Sequence, residues 1–152
     1  MVEEYLSRAY APCAAQSIQL SAQGFRPASE RAAEIRRLKS GFAHVQIKGA
    51  SVGDLSAVRT GDRIEVAMDV DLGDLQSSDI LAELVLGHPS GDRSLHKPHF
   101  VELQPEAGPD GTTTFRGHHL VEASGTYGWG LRIRPRCEEQ DARALPGLAR
   151  WA

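Results

Sequence analysis

The stretch Gly125-Thr126-Tyr127-Gly128-Trp129-Gly130-Leu131-Arg132-Ile133-Arg134-Pro135-Arg136 decides the fold. Tyr127, Trp129, Leu131 and Ile133 fall on one side of a period-two pattern, and Gly128, Gly130, Arg132 and Arg134 on the other. Successive side chains of a strand point to opposite faces, so this pattern predicts a half-buried strand. All the bulk lies on one face, which a second sheet must cover. Pro135 has no N–H to donate, so pairing should weaken there. The strand carries no recognisable catalytic group.

The same alternation recurs upstream. In Asp62 to Leu72, Ile64, Val66, Met68, Val70 and Leu72 alternate with Arg63, Glu65, Ala67, Asp69 and Asp71. Ile80 to Leu86 is more apolar and reads as a central strand. Val45 with Ile47, and Phe100 to Leu103, predict short strands; Thr112 to Val121 predicts a longer one with Phe115 and Val121 on one face. Gly87 to Asp92 is turn chemistry, and Pro105 to Gly111 reads as a loop ending in the hairpin signal Asp-Gly. About six or seven strands at this spacing predict a mainly β chain, an immunoglobulin-like β-sandwich.

A helical segment precedes it. Val2, Tyr5, Leu6, Ala9 and Cys13 recur at helical spacing. Pro12 should kink or interrupt this helix, and Gly24 should stop it. Pro27, Ser29 and Glu30 mark a second start with Ser29 as N-cap, and Gly41 ends it. Arg31, Arg36, Arg37 and Lys39 make this second helix basic, which reads first as a solvated face and otherwise as a docking face for a larger partner. The expected organisation is a helical segment over 1–41 and a β-sandwich domain with a C-terminal tail over 42–152.

Composition narrows the function. The net charge of -3 and the absence of clustered Lys and Arg argue against nucleic acid as a partner. No apolar run approaches the roughly 20 residues that cross a bilayer. Cys13 and Cys137 lie far apart, and with no signal peptide two reduced thiols in a soluble, cytoplasmic protein are expected. Among six histidines, His96 and His99 are three apart, and alternation sends His118 and His119 to opposite strand faces. Neither pattern has metal-ligand spacing, so no metal site is expected. Ser124 lacks the Gly-x-Ser-x-Gly elbow of a hydrolase. The candidate carbohydrate or partner contacts are Tyr127, Trp129 and Trp151, because amphipathic aromatic rings stack on sugars. Tyr127 and Trp129 share their face with Leu131 and Ile133, so they read first as core. Trp151, near the end, reads as a docking anchor.

Several segments taken in order resemble one family. Met1-Val2, Tyr5, Tyr10 and Pro12 are similar to the helix that follows the cofactor site in bacterial α-glucan phosphorylases, the glycogen and maltodextrin phosphorylases. The Asp62 to Leu72 strand with Gly73-Asp74-Leu75 resembles their C-terminal β-domain, as does Ser124-Gly125-Thr126-Tyr127-Gly128 leading into Leu131 to Arg136. Gly147-Leu148-Ala149-Arg150-Trp151-Ala152 resembles the family's C-terminus. The resemblance implies a piece of a glycosyltransferase of carbohydrate metabolism rather than the whole enzyme.

Family members use pyridoxal phosphate, held by a lysine shortly after a Glu-Ala-Ser-Gly-Thr loop. This chain has Glu122-Ala123-Ser124-Gly125-Thr126, but Gly130 stands where the lysine would follow. The segment reads as strand and falls in the wrong order along the chain, so the match is coincidence. The chain is therefore expected to hold no cofactor and to be inactive alone. The resemblance makes it an accessory domain whose partners are the catalytic domain and α-glucan. Its N-terminal apolar stripe suits a homo-oligomer through Met1 to Leu38. The alternative is a free-standing carbohydrate- or protein-binding sandwich module.

Overall fold

Alternating apolar and polar side chains from Arg63 onward build one antiparallel sheet, and those from Ile80 onward build another. A computed structural model describes residues 10–53, 58–91, 94–122, 125–137, 145 and 147–152, with backbone alone at Pro12. The first sheet runs in the order β1 (Gln46–Val52), β2 (Arg63–Asp71), β6 (Thr113–Leu120), β5 (Gln104–Ala107). The second runs β4 (Leu95–Glu102), β3 (Ile80–Pro89), β7 (Gly128–Pro135), β8 (Arg150–Trp151). The mainly β, immunoglobulin-like sandwich expected from the sequence is thus the observed class. The apolar Ile80 strand is central, between β4 and β7.

Register fixes which side chains face inward. Met68 pairs with Phe115 and Val66 with Gly117 in the first sheet; Leu84 pairs with Leu131 and Ala82 with Ile133 in the second. Ile64, Val66, Met68, Val70 and Phe115 are buried, as are Ile80, Ala82, Leu84, Leu86, Leu131 and Ile133. Each large aliphatic side chain so buried stabilises the fold by about 1.5–3 kcal/mol before conformational entropy is set against it. The chain crosses between the sheets at Leu103, whose N–H donates to the Ala82 carbonyl at 2.9 Å. Inward-facing Gly117 makes room for it: a Cβ there would lie 2.6 Å from Leu103 Cδ2.

Three local expectations need correction. The segment Gln104–Ala107 is an edge strand rather than loop, pairing with β6 alone. An edge position tolerates Pro105, which has no N–H to give. The loop proper is Gly108 to Thr112, with Asp110 and Gly111 both at positive φ. Second, β4 begins at Leu95, well before Phe100, because a bulge lets pairing with β3 continue past Leu86. Third, Ser29 is not an N-cap. The helix α1 (Ala11–Phe42) breaks at Ala22 to Phe25, with Gly24 at φ +67°, and is helical again from Arg26. Pro27 then sits in the first turn, where a missing N–H costs nothing. Pro12 lies in the first turn of α1, and the preceding stretch that it was expected to interrupt lies outside the described residues. The expected helical positions Val2, Tyr5, Leu6 and Ala9 lie outside the described residues.

The chain divides into two compact units, Met1–Arg37 and Leu38–Ala152. Within the first, Arg26 pairs with Glu30 and Arg37 with Glu34 across helical turns. Within the second, Leu38 and Phe42 are buried, and Arg150 of β8 donates to the Ala43 carbonyl at 3.1 Å. No described helix is long and apolar enough to cross a membrane.

Val66 tests the inward face. Replacing Val66 with Asp buries a carboxylate among apolar side chains and should cost about 4 kcal/mol or more. Urea unfolding should lose most of its native baseline; a midpoint like the parent's would mean the other face is the buried one.

Candidate functional site

The two outer faces of the sandwich differ in chemistry. That of the first sheet is charged and solvated: Arg63 with Glu65, Arg116 with Glu106 and Lys48 with Asp71 form exposed ion pairs. Such pairs contribute little to stability. That of the second sheet carries aromatic rings. Alternation along β7 sends Gly128, Gly130, Arg132 and Arg134 outward because Leu131 and Ile133 go inward. Arg132 pairs in register with Trp151 on one side and Glu83 on the other; Val85 pairs with Gly130 and Phe100. Phe100, Arg132 and Trp151 therefore share this face.

Their packing is close. A Cβ on Gly130 would lie 3.1 Å from Trp151 Cζ3 and 3.3 Å from Cε3, so the indole rests on bare backbone. The Arg132 guanidinium carbon stands 4.8 Å from the Phe100 ring centroid and 5.7 Å from that of Trp151. Both distances are within cation–π range. Phe100 remains 47% exposed and Trp151 57%. Underneath, buried Glu83 accepts from Arg132 Nε at 2.9 Å and from Arg134 Nε at 3.0 Å through one oxygen, Oε2. Glu83 also lies directly across from Glu102, an unfavourable like-charge pairing. Arg136 Nη2 offsets it by donating to Glu102 Oε1 at 2.6 Å.

A second feature opens at one end of the sandwich, between the sheets. His119 of β6 points inward opposite Ile64, and its ring lies 5.8 Å from that of His99 on β4. His88 and Tyr127 stack 4.9 Å apart, and His88 Nδ1–H donates to the Thr126 carbonyl at 3.3 Å. These four groups, with Lys97 and Glu122, line a cleft of about 200 Å³. His118 faces the other way, its Nδ1 accepting from Arg63 Nη2 at 3.2 Å. Among the described residues no three His, Cys, Asp or Glu side chains gather as a metal site would require.

The three aromatic candidates are therefore not one site. Tyr127 lies in the cleft, half-buried. Trp151 lies on the opposite, outer face of β7. Trp129 faces inward beside Leu86 yet is 46% exposed, which corrects its expected place in the core. Among the described strands Trp129 pairs with Leu86 of β3, while β8 pairs with Arg132 and Ile133. Sequence reading missed Phe100 and Arg132, which join Trp151 through strand pairing that leaves no local signal.

A family model described as the glycogen phosphorylase C-terminal domain matches residues 42–152. The chain belongs to this family. No curated protein matches the chain. The glycogen phosphorylase C-terminal domain thus comprises both sheets and the Phe100, Arg132 and Trp151 platform. Its Gly130, where the resemblance to the family's cofactor loop would need a lysine, lies mid-strand with the Trp151 indole over it. That position fits strand packing, not an amine reaching a cofactor.

Two outcomes follow for this domain. Glu83 to Ala leaves Arg132 and Arg134 without their shared acceptor and should cost about 2–3 kcal/mol in a denaturant melt. His119 titrates below the usual histidine range, chiefly through burial and secondarily through the charge of His99, with Glu122 opposing. The folded state resists a proton that the unfolded state accepts, so stability should fall as pH drops through 6.5 and below. His119 to Phe should flatten that part of the pH profile; an unchanged slope would assign it to other groups.

Proposed function

We propose that the chain is a non-catalytic accessory domain of an α-glucan phosphorylase, acting beside a cytoplasmic catalytic domain that converts glycogen or maltodextrin to glucose 1-phosphate. We further assign Phe100, Arg132 and Trp151 as its contact with α-glucan. The observation that carries this is an exposed pair of rings flanking a guanidinium, in a chain of this family. A pyranose has an apolar C–H face that stacks on such rings, and hydroxyls that accept from arginine N–H groups. Arg132 commits Nε to Glu83, which orients its plane before any ligand arrives. Tyr127 and Trp129 are not part of this platform. Pyridoxal phosphate belongs to the catalytic domain; of the three lysines here, Lys48 is paired with Asp71, and Lys39 lies in the last turn of α1.

Electrophoresis through glycogen-containing gels tests the platform. The parent should be retarded, and Trp151 to Ala or Phe100 to Ala should weaken retention about fivefold, the worth of one stacked ring. Gly130 to Val should do the same by displacing the indole. Variants that migrate like the parent would remove glucan and leave this face to the catalytic domain. The purified chain should show no absorbance from a lysine-bound pyridoxal cofactor; a yellow protein bleached by borohydride would sink the non-catalytic reading.

Self-association has its own support. Ile18 and Phe25 on α1, and Tyr10 just before it, are exposed. Sedimentation should show concentration-dependent oligomers for the full chain and a monomer for a chain beginning at Leu38.

A further inference from the structure

The cleft at the end of the sandwich lies on the other side of β3 and β7 from the glucan platform, and its chemistry is different. Three imidazoles, one ammonium and one phenol converge on about 200 Å³, against a single carboxylate. The ammonium is placed there at a backbone cost. Between Leu86 and His88 the β3–β4 ladder slips, so that Lys97 and Pro98 oppose Gly87 alone. Lys97 adopts φ +47°, a left-handed conformation unusual for a lysine. Bulges of this kind re-aim a side chain, and here the re-aimed side chain lines the cleft. Strain held at a cationic residue beside a cavity points to a site rather than to packing. Among the described residues no ion pair involves Lys97.

We propose that Lys97, His88, His99 and His119 form a binding site for a doubly charged oxyanion, the phosphate group of a small metabolite, with the Tyr127 ring forming part of the wall. His88 spends its Nδ1–H on the Thr126 carbonyl, so Nε2 donates to the oxyanion once the ring is protonated. His99 and His119 face each other across the two sheets, so protonating both without an anion sets like charges together. An oxyanion between them removes that penalty. Binding therefore takes up protons, and affinity rises as pH falls. The groups facing His119 are His99 and Lys97 from β4, His88 from β3, Tyr127 and Glu122; Glu122 favours the protonated imidazole and, when the phosphate carries a sugar, accepts from a hydroxyl. This site does not depend on the glucan platform and stands or falls separately from it.

Calorimetry of the full chain decides it, with sodium sulfate, inorganic phosphate and glucose 1-phosphate as probes. Sulfate keeps its charge between pH 6 and pH 8, so its affinity should rise about tenfold from pH 8 to pH 6 through protein groups alone, the linkage expected when about half a proton on average is taken up across that range. Tighter binding of glucose 1-phosphate than of inorganic phosphate would identify a sugar phosphate as the ligand; equal binding would identify free phosphate. Lys97 to Gly is the decisive variant, because glycine accepts the positive φ without strain and preserves the fold. It should bind sulfate about tenfold more weakly at pH 6 while melting no lower than the parent. In imidazole carbon–proton spectra, sulfate should move His88, His99 and His119 and leave His118 in place. Binding by Lys97 to Gly within twofold of the parent, equal shifts at His118, or pH-independent sulfate affinity would each overturn the proposal.

Discussion

Each sheet of this domain has one face that water cannot cover favourably, and burial of those two faces against each other is the constraint on which everything else rests. Met68 and Phe115 from one sheet, with Leu84, Leu131 and Ile133 from the other, are almost wholly removed from solvent. A slip of one residue in any pairing would turn such side chains outward, so register is strongly specified. The crossing at Leu103 and the missing side chain of Gly117 belong to the same constraint, since the chain must change sheets without leaving a void or a clash.

Once the inward set is fixed, the outward set follows, and on β7 that set is two glycines and two arginines. Gly130 leaves a space into which Trp151 settles, and Leu95 lies over Gly128. The arginines reach Glu83, a carboxylate buried on the outer face. Removing such a charge from water is costly unless it is paired and hydrogen-bonded. Two guanidinium groups on one oxygen meet that condition and hold Arg132 between two rings at the same time. The platform is thus not an addition to the fold but the reverse side of its core strand.

The cleft arises from the other end of the same strands. Beyond Leu86 the core runs out, and the inward positions pass from leucine to histidine, His88 on β3 and His99 on β4. In the facing sheet His119 follows Gly117 on the inward side. Polar side chains at the open end of a sandwich keep contact with water while touching each other, so the fold gathers titratable groups there without fully burying a charge.

The sequence by itself determined the long strands β2, β3, β6 and β7, most of their inward residues and the sandwich class, because side-chain alternation is a property of backbone geometry and needs no partner to be read. The inward assignment of Ile64, Val66, Met68, Val70, Leu131 and Ile133 was legible in this way. So was the opposite orientation of His118 and His119. Only the tertiary structure decided what each strand lies beside. Pairing of β8 with β7 brings Trp151 over Gly130; pairing of β3 with β4 brings Phe100 to Arg132; packing of one sheet on the other brings His119 to His99. The bulge that re-aims Lys97 and the edge position that admits Pro105 belong to the same class. These contacts join residues far apart in the chain, where local preference carries no information and the free energy of burial chooses the partner.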